Sequence, residues 1–190
     1  MIEIVRQYVN TFDSIVYNFL SKIASPNLTV IMKLFSYLGS SWVLTIISAI
    51  AYFFLKFYKK KTLYANIIII NVVVSTFLDG LFKVMFHRGR PDILRLVTAS
   101  GYSFPSGHSM IGLAFYGLLL YLLLRSVSSK VKKFWIKFGF VGLIIAIGVS
   151  RIYLGVHYAS DVLAGFSFGI AWLAVVIAFL KRYEAKRALD

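Results

Sequence analysis

Apolar positions along this chain run in long blocks rather than alternating with polar ones. Residues 34–55 carry no charge, and from Trp42 onward the block is continuously apolar. Residues 62–78 form a second block, which extends to Phe86 if Asp79 and Lys83 are held inside the protein. Residues 109–124, 134–150 and 162–180 complete the set. A helix needs about 20 mostly apolar residues to cross a bilayer, so the pattern predicts an all-α integral membrane bundle of about five transmembrane helices with short connections. The first 25 residues follow a different period. Ile4, Val5, Tyr8, Val9, Phe12, Ile15, Val16, Phe19, Leu20 and Ile23 recur at helical spacing, with Glu3, Arg6, Gln7, Asn10, Asp13, Asn18 and Lys22 opposite them. That predicts an amphipathic helix stopped near Ser25-Pro26, either lying in the membrane interface or packed against the bundle. Its charges interrupt any apolar stretch of the signal-peptide kind. The expected organisation is one membrane-embedded domain, with an interfacial helix over 1–25, a bundle over 26–180 and a basic cytoplasmic tail over 181–190.

Composition agrees with a membrane protein. The 190 residues are 59% hydrophobic and 15% charged, against about 25% charged in a soluble domain. The absence of cysteine removes disulfides, thiolate nucleophiles and sulfur-ligated metals. A net charge of +14 would suit nucleic acid, but the basic residues flank the apolar blocks, so the expected partner is a bilayer and not a nucleic acid. Lys56, Lys59, Lys60 and Lys61, then Arg125, Lys130, Lys132, Lys133 and Lys137, then Lys181, Arg182, Lys186 and Arg187 account for 13 of the 21 Lys and Arg residues. Alternating spans place these three groups on one side, which the positive-inside rule makes cytoplasmic. Arg88, Arg90, Arg95, Arg151 and all three histidines then fall at the outer face, against the rule, and so serve chemistry rather than topology. Gly165 and Gly169 permit close helix contact, within the bundle or in a weak homodimer.

Three clusters share the outer ends of the spans: Lys83 and Arg90-Pro91; Pro105-Ser106-Gly107-His108; and Ser150-Arg151, His157 and Asp161. Ionisable groups at membrane depth are costly and mark function by default. Cations in this number suit a multiply charged anion, phosphate foremost. Arg90 and Arg151 offer forks that match phosphate oxygens, and Lys83 adds a point charge. Pro105-Ser106-Gly107 opens a span and can aim backbone N–H groups at an anion. His157 and Asp161, four apart on one helix face, let the carboxylate hold one ring nitrogen while the other attacks. His108 remains as general acid. Two histidines and a carboxylate also form a metal-ligand set, but the surrounding cations would repel a metal ion. Ser106 lacks the Gly-x-Ser-x-Gly turn of a hydrolase nucleophile.

These residues resemble the three-part signature of the type 2 phosphatidic acid phosphatases, a superfamily that includes bacterial lipid phosphate phosphatases and the vanadium haloperoxidases. The resemblance covers roughly residues 26–180 and every signature position. It implies a metal-independent lipid phosphatase without cofactor; the small size, basic profile and outward site point to a bacterial plasma membrane. By resemblance His157 is the nucleophile that forms a phosphohistidine, Asp161 orients it and His108 protonates the leaving group. Lys83, Arg90, Ser106, Gly107 and Arg151 would hold the phosphoryl oxygens. The implied substrates are undecaprenyl diphosphate, phosphatidylglycerophosphate and phosphatidate. Two departures stand out: members of this kind have six spans where five are read here, and Gly89 stands where relatives often place proline between two arginines.

Other assignments stay open on sequence alone. Asp79, four residues before Lys83, is placed to neutralise or position it. Arg88 reaches either a second phosphate or the lipid headgroups. A lipid transporter or flippase, or a lipid-binding membrane protein, would use the same charged cleft, although five spans without repeat halves argue against transport. The topology itself is testable on intact cells. A cysteine in Asp92→Cys should react with a membrane-impermeant reagent, and one in Ser128→Cys should not. The reverse pattern would move the site to the cytoplasmic leaflet.

Overall fold

The computed structural model describes residues 2–93 and 95–188, with side chains from Gln7 onward; Glu3, Ile4, Val5 and Arg6 of the amphipathic pattern have side chains outside that set. Among these residues seven α-helices follow one another: α1 (Ile2–Lys22), α2 (Pro26–Leu38), α3 (Ser41–Phe53), α4 (Thr62–Phe86), α5 (Gly107–Leu124), α6 (Lys130–Tyr153) and α7 (Ala159–Arg187). A π-helical turn, Phe54–Tyr58, prolongs α3. Among the described residues five helices are long and apolar enough to span a membrane: Ser41–Tyr58, Thr62–Phe86, Gly107–Leu124, Lys130–Tyr153 and Ala159–Arg187. No strand occurs among the described residues. Bulky side chains such as Trp42, Ile50, Phe77, Phe138 and Ile170 face outward, as expected where lipid replaces water around the bundle.

The first apolar block divides. Residues 34–55 predict one span, yet α2 ends at Leu38 and a new helix begins at Ser41. Gly39 closes α2, its N–H donating to the Ser36 carbonyl at 3.1 Å. Ser40 is extended, and its Oγ accepts the Val43 N–H at 3.4 Å, a serine N-cap that starts α3. Gly39 is also pressed against α6: a Cβ there would lie 2.5 Å from Ile147 Cγ2. Hydropathy sees an unbroken apolar run at this point, whereas the backbone responds to the cap. The Ser25-Pro26 stop behaves as the sequence predicts, with Ser25 capping α2 and Pro26 at its first position. At the other end α7 continues as helix to Arg187, through most of the segment expected to be a tail.

Helix α5 is the core, packed by α4, α6 and α7 around Met110, Phe115, Leu118, Ile68, Ile147 and Leu180. Asn71 is fully buried in α4 and still satisfied: it donates to the Ala114 carbonyl at 2.9 Å and accepts from Trp172 Nε1 at 2.9 Å. One amide thus ties three helices, as a polar group in a membrane interior must. The Gly165/Gly169 pair works within the bundle, where α7 lies against the backbone of α5. A Cβ at Gly165 would come within 2.7 Å of the Ser106 carbonyl oxygen, and one at Gly169 within 2.8 Å of that of Met110.

Helix α1 packs against the bundle and keeps an apolar face outward. Val16 and Leu20 pack on Ile152, Tyr153 and Val156, while Tyr8, Ile15, Phe19 and Ile23 are exposed. Asp13, expected on a solvated face, is instead buried at 4% exposure.

The α5–α7 contact predicts a sharp positional contrast. Gly165→Val should destabilise the protein by about 1–3 kcal/mol, the usual cost of overpacking, and lower its thermal midpoint in detergent. Gly142→Ala, with nothing within 4 Å of the added carbon, should leave the midpoint unchanged or raise it. Equal effects at the two positions would contradict the packing described.

Candidate active site

The three sequence clusters meet at one end of the bundle. Lys83 and Asp79 come from the last turns of α4, Arg90 from the following loop, Gly107 and His108 from the first turn of α5, Arg151 from the end of α6 and His157 from the α6–α7 connection. Together they line a cavity of about 240 Å³. Gly39 and Ser41, from the α2–α3 junction, and Thr98 close it.

His157 is 3% exposed. It does not share a helix with Asp161, as the four-residue spacing suggests; it precedes α7, whose N-cap is Tyr158. The pair meets because Asp161 sits in the first turn and folds back toward the cap. Asp161 Oδ2 accepts the Tyr158 N–H at 3.0 Å and lies 3.5 Å from His157 Nδ1. The Nε2 atom faces Arg90 Nη1 at 3.3 Å. Gly155, at φ +72°, makes the turn that presents this histidine. Burial lowers the His157 pKa from 6.5 to about 4, more than the neighbouring Asp161 raises it. The imidazole is therefore neutral near pH 7 and keeps a lone pair for attack.

The cations are held by fixed partners. Arg90 donates to the carbonyls of Val156 and Ser100 at 2.8 Å each and to that of Gly101 at 3.1 Å. Arg151 donates to Ser36 Oγ of α2. Lys83 Nζ lies 2.5 Å from Asp79 Oδ2, which realises the pairing expected from their spacing. Asp79 presses on the start of α5, where a Cβ at Gly107 would lie 2.8 Å from Oδ2. Gly107 thus makes room for a carboxylate as well as bordering the cavity. Three buried polar atoms, Asp79 Oδ1, Arg151 Nε and His157 Nδ1, have no hydrogen-bond partner within the described protein. All three belong to residues of the cavity wall.

Ser106 differs from its expected place. It is fully buried, its N–H donates to the Asp161 carbonyl at 3.0 Å, and its Oγ accepts from Ser109 Oγ at 3.0 Å. It joins α5 to α7 and does not line the cavity. His87, the third histidine, ends α4 in the left-handed conformation and packs edge-on against Tyr102.

Arg88 takes neither of its two expected places. Its Nη1 donates to Asp161 Oδ1 and Ser160 Oγ, both at 2.7 Å, and its Nη2 to Asp13 Oδ2 at 2.8 Å. Asp13 in turn accepts the Ser160 N–H and hydroxyl, each at 2.7 Å. Sequence reading missed Asp13, Ser160, Ser36 and Thr98, and only Asp13 gave any signal, as one of seven acidic residues in a basic chain.

A neutral buried imidazole backed by a carboxylate, facing a wall of cations within a membrane bundle, is suited to phosphoryl transfer. The profile of the PAP2 superfamily matches residues 60–184, a stretch that contains every residue from Lys83 to Asp161, and the chain belongs to that superfamily. It is 35% identical over 171 residues to phosphatidylglycerophosphatase B of Bacillus subtilis (strain 168), covering 86% of this chain and 82% of the relative. It is 33% identical over 120 residues to a lipid A 1-phosphatase of Rhizobium johnstonii, covering 58% of this chain and 45% of that one. The crystal structure of a transmembrane PAP2-type phosphatidylglycerolphosphate phosphatase from Bacillus subtilis superposes with a TM-score of 0.86 at 30% identity, over 92% of this chain and 87% of that one. That of Aquifex aeolicus LpxE gives 0.68 at 27% identity, over 85% and 92%. The chain is a multi-pass membrane enzyme, a phosphoric ester hydrolase of the lipid phosphatase kind.

The protonation of His157 can be followed directly. Between its ordinary value of 6.5 and about 4, the unfolded chain binds a proton that the folded chain refuses. This histidine therefore costs stability as pH falls through that window. Histidine-detected NMR titration in detergent should place its midpoint near 4, and Asp161→Asn, which removes the influence that raises it, should move the midpoint lower still. A midpoint at or above 6.5 would contradict the burial of the ring.

Proposed function

We propose that this enzyme removes a phosphate group from a lipid at the outer membrane face, without a metal, through a phosphohistidine on His157. The observation that carries the reading is the single cavity bordered by both His157 and His108 together with Lys83, Arg90 and Arg151. Nε2 of His157 attacks phosphorus and the bond to the lipid oxygen breaks. His108 gives that oxygen its proton, so phosphate stays on His157 and the leaving group departs, a lipid alcohol or, from a diphosphate, the lipid monophosphate. Water then attacks the phosphohistidine, losing its proton to His108, and inorganic phosphate departs with both histidines restored. Lys83, Arg90 and Arg151 stabilise the charge on the phosphoryl oxygens throughout, and their own charge disfavours a metal cation. Asp161 keeps His157 oriented. Gly107 borders the cavity at the start of α5, and Ser106 acts on the site through its N–H bond to the Asp161 carbonyl.

Phosphatidylglycerophosphate is the favoured substrate, supported by the names of the Bacillus subtilis relatives; undecaprenyl diphosphate and phosphatidate share the required chemistry. The outward sidedness rests on the distribution of basic residues. The exposed apolar face of α1 would lie among the acyl or prenyl chains.

The two histidines can be separated in the presence of EDTA. His157→Ala should abolish phosphate release from every substrate. His108→Ala should slow lipid hydrolysis by about 10²–10⁴-fold, the usual contribution of a general acid, yet spare an aryl phosphate whose phenolate leaves unprotonated. Both variants should be checked for folding by their thermal midpoints. An active His157→Ala beside an inactive His108→Ala on the aryl ester would reverse the roles. Loss of the unaltered enzyme's activity to EDTA would overturn the metal-free step.

A further inference from the structure

His108 borders two cavities. The second, of about 390 Å³, lies between α2, the α2–α3 junction and the segment ahead of α5. It shares Thr98, His108 and Arg151 with the catalytic cavity and adds Lys33, Ser36, Tyr37, Ser40 and Val97. Lys33 and Tyr37 are four apart on α2, on either side of Ser36, whose hydroxyl holds Arg151. Among the described residues no carboxylate lines this second space, and Lys33 forms no ion pair. Nothing in the catalytic reading uses Lys33.

The position of this space relative to the two histidines gives it a role. Displacement at phosphorus places the attacking and leaving groups on opposite sides of the reacting atom. His157 borders the first cavity and not the second, whereas His108, beside the leaving oxygen, borders both. A leaving group that runs past His108 would enter the second cavity. Hydrocarbon chains would need no lysine there. Lys33 and Arg151, with the tyrosine, serine and threonine hydroxyls beside Val97, suit an anion flanked by polar groups.

We propose that this cavity binds a second phosphate carried by the leaving group, with Lys33 as its cation. The enzyme then prefers lipids with two phosphate groups over phosphatidate, which has one. The second phosphate comes from one of two sources, a diester across a glycerol spacer, as in phosphatidylglycerophosphate, or the inner phosphate of a prenyl diphosphate. The inference rests on the assignment of His157 and His108 above.

The test measures phosphate release by the full chain in mixed micelles from phosphatidylglycerophosphate, a prenyl diphosphate and phosphatidate. Lys33→Met should lower kcat/KM on a two-phosphate lipid about tenfold more than on phosphatidate, roughly the worth of one charge-assisted contact. Lys33→Arg should restore most of the preference. Whichever two-phosphate lipid carries the larger loss identifies the source. An equal loss on all three lipids, or no loss on any, would overturn the proposal. Failure of the catalytic reading is distinguishable, because it would remove release from all three lipids in the unaltered chain or transfer it to His108.

Discussion

The buried carboxylate of Asp161 is the constraint on which the active end of this protein depends. It is fully inaccessible, and a buried charge is tolerable only when its partners are close and well placed. Arg88 supplies the opposite charge to Oδ1, and the Tyr158 N–H occupies Oδ2. The backbone carbonyl of the same residue accepts from Ser106 at the start of α5. One residue in the first turn of α7 therefore fixes the loop after α4, the entry to α5 and the connection that carries His157. The same arginine reaches Asp13, which also holds Ser160. The N-terminal helix is thereby fastened to the catalytic centre rather than resting loosely on the bundle.

The rest of the site follows a similar economy of charge. Three cations around one cavity would repel one another if empty space were all that separated them. Asp79 answers Lys83 directly, and backbone carbonyls and Ser36 take the donors of Arg90 and Arg151. The protein itself thus holds both guanidinium forks in place. Gly107 links this arrangement to the fold, since the space beside it belongs to the Asp79 carboxylate. Packing against the Asp79 carboxylate imposes the small residue at that position.

Helix α1 joins two environments. On its inward stripe Asp13 and Leu20 are buried and Val16 is half-buried, while Tyr8, Ile15, Phe19 and Ile23 remain outside. An ion pair on one side and an exposed apolar surface on the other bring that surface within a few side chains of His157.

The sequence alone determined whatever is written locally. Length and hydropathy marked five spans, because any bilayer-crossing helix must hide its backbone in its own hydrogen bonds behind apolar side chains. Spacing assembled the catalytic candidates, and the four-residue interval from Asp79 to Lys83 gave their pairing. Local pattern could not reveal the break at Gly39-Ser40, where a cap overrides an unbroken apolar run. Nor could it place His157 outside α7, since a spacing of four fits an N-cap turn as well as a helix. Asp13 with Arg88, Arg151 with Ser36 and Ser106 with Asp161 were decided only by the tertiary structure. These pairs are 75, 115 and 55 residues apart, and which distant polar groups meet depends on how the helices pack, a property absent from any window of the chain.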